Sequence, residues 1–289
     1  MSYRFSEFGL EAIDQKPLVS FITVTYKMPH FVRHLLRGLA DAMPVFPFEF
    51  FLVDNGSEDE TVNWVRERFP WVQVIASSRN LGLSAANNLA LKQAQGEYIM
   101  HLNPDLTIFP GELEKWIAWM QTHPEIGISG PRLLNPDGTD QDSCYRFPRL
   151  WIPIYRRTIF GRTPWGKRAV HHYLMKDMDR EKEQDVDWVL GAAMCMRHEL
   201  VKKIGGFDER FFLYFEDTDL CRQAWKNGSR VSYTPAAKFS HYHRRESGTK
   251  HVWEVFKNPV TRIHIRSAVK YFLKYRGEDN PRRVNLLIK

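Results

Sequence analysis

The chain has 289 residues, 43% hydrophobic and 26% charged, with a formal net charge of +7. Those values exclude a disordered chain and leave one large α/β domain or two small ones. Three cysteines, Cys144, Cys195 and Cys221, with no CxxC pair, argue against a disulfide framework or a cysteine zinc site and fit a reducing compartment.

Residues 1–16 read as a polar leader, with Glu7, Glu11 and Asp14 where a signal peptide needs an apolar core. Residues 18–26, LVSFITVTY, are β-branched and apolar, a buried strand. Phe31, Val32, Leu35, Leu36, Leu39 and Met43 share a helical face that Pro44 and Pro47 close. A second apolar strand at 48–53 runs into Asp54-Asn55-Gly56-Ser57, followed by a helix over about 59–69 and a strand at 71–76. Ser84 is placed to cap a helix that reaches about Ala94 and closes at Gly96, and 97–102 is the next strand, ending in Asn103-Pro104-Asp105. This β-α-β-α-β-α-β alternation predicts a mostly parallel sheet flanked by helices. Beyond it come a helix at 112–122, a strand at 126–130, an Arg-rich and aromatic insertion with irregular turns at 141–185, a strand at 188–196 and a helix at 198–204. No stretch approaches the roughly 20 apolar residues of a membrane span, so a cytoplasmic protein is expected.

Ligands of such sheets bind beyond the carboxyl ends of the strands, where Asp54 and Asp105 both stand. Asp54-Asn55-Gly56 has the composition of a hairpin turn, but a helix follows it, so its carboxylate is free to accept from a base N–H or a ribose hydroxyl. Glu58 and Asp59 suit the next helix N-terminus. Gly82 in Arg79-Asn80-Leu81-Gly82 supplies a positive φ, while Arg79 beside a helix N-terminus suits a diphosphate; both readings stand. Asn87 and Asn88 are poor helix formers inside a helix. Asn103-Pro104-Asp105 reads either as a turn or as a hard oxygen donor for Mg²⁺ or Mn²⁺. His241 and His243, at i and i+2, share a strand face as candidate metal or phosphate contacts, against the alternative of bystanders. Glu216, Asp217 and Asp219 crowd the first turn of an amphipathic helix that Asn227-Gly228 stops. Acids are ordinary there because the helix dipole favours them; the other strand-end acids tip the reading toward a site.

The ordered set VSFITVTY, VDNGSED, RNLGLSAANN, HLNPD and GGFDERFFLYFEDTDLCRQAW, over residues 18–243, resembles the inverting family-2 glycosyltransferases, in particular their rhamnosyltransferase-like branch. The resemblance implies a GT-A fold at 17–245, with a nucleotide-sugar half over about 17–130 and an acceptor half over about 131–245. It implies that Thr25 and Asp54 hold the nucleoside, that Asp217 is the catalytic base, and that Trp188, Gly191, Ala192 and Glu216 line the acceptor side. It also implies that Asp105 is the last acid of a metal-binding DxD motif. Here the first acid is Asn103, which predicts weaker or more substrate-dependent binding of the divalent cation. A metal- or phosphate-contacting histidine is implied near His241 or His243. The implied reaction is a single displacement in bacterial surface polysaccharide synthesis. Thymidine diphosphate-rhamnose is the preferred donor and a UDP-sugar the alternative, with the helix dipole keeping Asp217 ionised.

From Lys238 to Lys289 thirteen Lys/Arg face four acids, so the tail carries about +9 and the rest is near neutral. Within 246–289, Asn258-Pro259 can start a helix in which Arg262, Arg266, Lys270 and Lys274 form a basic stripe. Ile265, Ala268, Val269, Phe272 and Tyr275 form an apolar side. Such a helix suits an anionic membrane surface and an acceptor carried on a polyprenyl diphosphate. The alternative is a helix docked on the domain with a solvated basic face. A basic binding module for RNA or anionic glycan would also explain the charge, but it leaves the strand-end acids unexplained and no nucleic-acid motif is present, so no nucleic-acid partner is expected. A pyrophosphorylase would need a Gly-rich, Arg-containing loop where Thr25-Tyr26-Lys27-Met28 stands.

Overall fold

A computed structural model describes residues 2–6, 9–157, 159–242 and 258–283. Its first elements are β1 (Ser2–Ser6) and β2 (Gly9–Ile13), a hairpin whose Tyr3 pairs with Phe48 at the edge of the main sheet. The stretch expected as a polar leader is therefore sheet. Phe5 explains why, stacking on Phe48 and meeting Trp71 edge-on.

The alternating unit follows as β3 (Val19–Thr25), α1 (Pro29–Ala42), β4 (Phe48–Asp54), α2 (Thr61–Arg68), β5 (Val72–Ala76), α3 (Leu83–Leu91) and β6 (Tyr98–Leu102). All seven residues of β3 and of β4 are buried, because helices and further chain cover both sheet faces. β3 lies parallel to β4 and β6, and β4 to β5. Ser84 does not cap α3. Gly82 occupies that position at φ 85°, and the Ser84 hydroxyl donates to the Phe211 carbonyl at 2.6 Å.

The remainder comprises β7 (Leu106–Thr107), α4 (Glu112–Thr122), β8 (Ile126–Leu134), β9 (Cys144–Tyr145), α5 (Ile152–Arg157), α6 (Pro164–Tyr173), β10 (Gln184–Asp185), β11 (Trp188–Val189), β12 (Ala193–Arg197), α7 (His198–Ile204), α8 (Glu216–Lys226), β13 (Arg230–His241) and α9 (Pro259–Lys274). β12 runs antiparallel to both β6 and β8, whereas β13 runs parallel to β8, so the parallel nucleus becomes a mixed eleven-stranded sheet. The single strand expected at 188–196 breaks at Leu190–Gly191–Ala192. β11 leaves the main sheet to pair with β9. The insertion is more ordered than its composition suggested, with α5 and α6 packed against each other.

One apolar core lies on each face of the sheet, and a third, smaller cluster joins Phe211 and Phe215 to Ala268 and Tyr271 of α9 and to Tyr275 just after it. α9 is thus a docked helix. Asn258 caps it by accepting from the Val260 and Thr261 amides. Lys274 leaves the expected basic stripe to pair with Asp208 at 2.7 Å and Asp219 at 2.6 Å. Tyr275 is buried as expected, but Ile265 and Val269, expected on the apolar side, are exposed with Leu273. Among the described residues no helix is long and apolar enough to cross a membrane.

Candidate active site

Thr25 and Asp54 end adjacent strands in direct register. Both side chains are buried, and among the described residues Thr25 Oγ1 and Asp54 Oδ1 have no hydrogen-bond partner. Asp54 Oδ2 accepts from the Ser57 amide at 3.2 Å, which fixes the carboxylate plane. Two unsatisfied buried polar atoms side by side are costly unless a ligand answers them. Asn55 clasps the next loop. Its amide nitrogen donates to Asn80 Oδ1 at 3.0 Å, and its carbonyl oxygen accepts from the Leu81 N–H at 2.8 Å. Gly56, at φ 79°, lies so close to that loop that a Cβ would stand 2.7 Å from the Arg79 carbonyl carbon. Arg79 itself projects into solvent beside α3, with no acidic partner among the described residues.

The Asn103 amide donates to the Ala192 carbonyl at 2.8 Å, so the break between β11 and β12 lies over the end of β6. Next to Ala192, the Gly191 N–H donates to Asp217 Oδ2 at 2.9 Å. A Cβ at Gly191 would meet Asp217 Cβ at 3.2 Å. Asp217 Oδ1 accepts from the Thr218 amide at 2.6 Å and from its hydroxyl at 3.2 Å. Hydrogen bonds therefore tie the end of β6 to the start of α8.

Glu216 and Asp217 are both buried. Burial holds both carboxyls above the usual carboxylate range, Glu216 further because Asp217 lies beside it. This corrects the expectation that the helix dipole sets Asp217 low; desolvation outweighs it. The N–H donors on both Asp217 oxygens favour its ionised form, whereas among the described residues Glu216 Oε2 has no partner. Preceding them, Tyr214 and Phe215 take φ of 69° and 70°. Such backbone in bulky residues costs about 1–3 kcal/mol each. α9 holds it in place: Tyr214 stacks on His264 with centroids 4.4 Å apart, Phe215 packs on Tyr271, and the Ser267 hydroxyl donates to the Leu213 carbonyl. Asp219, grouped with the pair by spacing, instead faces Lys274 and Tyr275.

β7 pairs with the end of β13, setting His241 opposite Leu106 and its Nε2 3.4 Å from Asp105 Oδ1. His241 Nδ1 meets Gln141 Oε1 at 2.6 Å and so carries a proton. Its Nε2 faces a carboxylate oxygen of Asp105. That arrangement calls for a proton or a cation between them. Asp105 and His241 offer one carboxylate and one imidazole to a cation whose other ligands come from substrate phosphates and water; among the described residues no third His, Cys, Asp or Glu joins them. His243 lies outside the described residues.

His101 had drawn no notice in the sequence. It is buried, and burial lowers its imidazole to about 4, so it is neutral. Asn87 donates to the Leu83 carbonyl at 2.9 Å, so its oxygen accepts the His101 Nδ1 proton, also at 2.9 Å. His101 Nε2 lies 3.2 Å from Asn103 Oδ1, so both ring nitrogens face amide oxygens. Asn88 is structural, bonded to both the amide and the carbonyl of Phe207. Trp188 stacks on Tyr145 at 4.3 Å and donates to the Arg146 carbonyl, joining the insertion to the Gly191 turn.

Residues 20–186 match the family described as glycosyl transferase family 2. N-acetylglucosaminyl-diphospho-decaprenol L-rhamnosyltransferase of Mycobacterium tuberculosis is 30% identical over 244 residues, 78% of this chain and 76% of the relative. Among solved structures, the mannosyltransferase PcManGT from Pyrobaculum calidifontis, in complex with GDP-Man and Mn²⁺, aligns with a TM-score of 0.56 at 19% identity. That match covers 95% of this chain and 69% of the other. GalNAc-T7 with UDP, GalNAc and Mn²⁺ also gives 0.56, at 14% identity over 83% of this chain, which spans about half, 47%, of that longer one. The two structural likenesses show a shared fold.

Proposed function

The chain belongs to glycosyl transferase family 2, and from that premise we propose that it moves L-rhamnose from dTDP-rhamnose to a glycan carried on a polyprenyl diphosphate, with inversion at the anomeric carbon. The observation that carries this reading is Asp217, a buried carboxylate pinned by two N–H donors beside the buried Glu216. Hydrogen bonds connect it to the strand end that bears Asp105. Thr25 Oγ1 and Asp54 Oδ1 receive the nucleoside, whose hydroxyl and N–H groups answer their missing partners. Asp105 and His241, with Asn103 close to Asp105 in sequence, would hold a divalent cation, which when bound would neutralise charge on the departing diphosphate. Arg79, beside the N-terminus of α3, adds a second positive contact.

In the displacement, the acceptor hydroxyl attacks the anomeric carbon as Asp217 takes its proton. The bond from that carbon to the diphosphate oxygen breaks, and the nucleoside diphosphate leaves from the opposite face. Gly191 aims Asp217, and Trp188 with Ala192 shapes the acceptor side. The donor and acceptor choices rest on likeness to the mycobacterial enzyme, whose name states both sugar and carrier. The lipid-borne acceptor sets the enzyme on the inner face of the cell membrane. The exposed face of α9 suits that position, with Arg262, Arg266 and Lys270 beside Ile265, Val269 and Leu273.

Thermal shift against UDP, dTDP, GDP, CDP and a short RNA, each with Mn²⁺ and with EDTA, tests the reading. A ligand at 100 times its dissociation constant adds about 2.7 kcal/mol. A shift with dTDP that EDTA abolishes is expected. A shift with RNA alone would replace the enzyme by a binding module.

A further inference from the structure

Residues 143–176 carry eight Lys/Arg and no acid. Acids outside the stretch neutralise part of this charge, Asp177 on Arg146 and Asp142 on Lys176. Arg149 and Arg168 are exposed and have no acidic partner among the described residues. The stretch folds around a cavity of about 340 Å³ whose lining includes Arg146, Arg149, Arg168, His172, Trp165 and Tyr173. Burial, and then Arg146 and Arg149, push the His172 imidazole down, with Asp177 and Asp187 opposing them. Around the rim, Leu150, Trp151 and Trp165 are 58%, 60% and 63% exposed. Large apolar and indole groups beside arginines match a surface that meets lipid at the headgroup level. At the inner wall, the Tyr173 and Trp188 ring centroids are 6.4 Å apart, and the Tyr173 phenol is held protonated by burial with a contribution from Asp217.

We infer that this cavity docks the diphosphate of the lipid-linked acceptor, with Arg149 and Arg168 on phosphate oxygens and Trp151 and Trp165 against the first prenyl units. The inference rests on the acceptor reading above and adds to it a place. The acceptor's first sugar then lies past Tyr173, where its hydroxyl meets Asp217. Arginine suits the role because its planar fork matches phosphate oxygens and keeps its charge beside lipid.

Calorimetry with dTDP and Mn²⁺ saturating the donor site tests it, with geranyl diphosphate, inorganic diphosphate and geraniol as probes. Geranyl diphosphate is expected to bind best. The double variant R149Q/R168Q is expected to weaken it about 10–100-fold, the loss of two charge-assisted contacts, while dTDP binding and thermal stability stay unchanged. Unchanged geranyl diphosphate affinity in the variant would overturn the site and leave the lipid-linked acceptor standing. Equal affinity for inorganic and geranyl diphosphate would assign the cavity to a free anion, and geraniol binding as tightly would remove the diphosphate from the account; either overturns the inference. Transfer from dTDP-rhamnose to an unphosphorylated glycan, with none to a prenyl-diphosphate glycan, would refute the acceptor reading itself and the site with it.

Discussion

Replacing Asp217 with asparagine separates the chemical role of this carboxylate from its structural one. Both of its oxygens accept: Oδ2 from the Gly191 N–H, Oδ1 from the amide and hydroxyl of Thr218. Asparagine keeps one of these faces and turns an NH₂ toward a donor on the other, a loss of about 1–3 kcal/mol. Removing a buried charge beside Glu216 offsets part of that, so the fold survives with a modest fall in melting temperature. The rate suffers far more. Loss of a general base lowers turnover about 10²–10⁴-fold, or roughly 2.7–5.5 kcal/mol of barrier. Steady-state transfer assays give kcat and KM, and calorimetry gives the affinity for dTDP, which is expected to stay within about threefold because no contact of Asp54 or Asp105 changes. In the wild type, activity is expected to rise with pH as the Glu216–Asp217 pair loses its first proton. That limb lies above the ordinary carboxylate range because burial raises both groups. Full turnover by D217N, or a turnover loss matched by an equal loss of dTDP binding, would refute this assignment of the base.

Three further perturbations probe the neighbours of the base. Glu216→Gln is expected to raise the melting temperature at neutral pH while lowering activity. A carboxyl whose folded pKa is raised binds its proton more tightly in the folded state, so stability falls as pH climbs from the unfolded pKa through the folded one. The gain is expected to shrink toward nothing below about pH 4; a gain independent of pH would contradict it. Gly191→Ala sets a Cβ 3.2 Å from Asp217 Cβ and 3.3 Å from its Oδ2, which displaces the base by a few tenths of an ångström. A kcat loss of up to about 10²-fold with little change in melting temperature is expected, and wild-type kcat would show that the contact does not position the base. Asn103→Asp sets a charged oxygen where the neutral Asn103 Oδ1 stands, 3.2 Å from His101 Nε2. The His101 pKa, read by NMR titration, is expected to rise from about 4, with roughly 1–3 kcal/mol of stability lost near neutral pH; an unmoved titration would show that the two side chains are not coupled.

The elements from β3 to β6 were legible because continuous apolar runs punctuated by Pro, Gly and Asn leave few alternatives, and strand ends mark where a ligand crevice lies. Asp54 and Asp105 stand out on that basis, and Asp217 by the acid cluster that opens α8. His241 reaches Asp105 only through the β7–β13 pairing. That register joins positions 135 residues apart in the chain and has no local signature. His101 was hidden because a histidine inside an apolar strand carries no sign of its neighbours; Asn87, a poor helix former, was the one visible hint. The β1–β2 hairpin escaped notice because its polar residues alternate with the few that meet Phe48 and Trp71. The faces of α9 were misread at Lys274, which two acids on other elements draw into the interior.

The most direct test of the central claim is transfer itself. The enzyme would be incubated with Mn²⁺, a prenyl-diphosphate-linked N-acetylglucosamine and, in turn, dTDP-rhamnose and UDP- or GDP-sugars, with mass spectrometry and NMR of the product. Addition of one deoxyhexose from dTDP-rhamnose, at an anomeric carbon of configuration opposite to the donor's, is the predicted result. Retained configuration, or no transfer from any of these donors by a protein that still binds dTDP, would contradict the account.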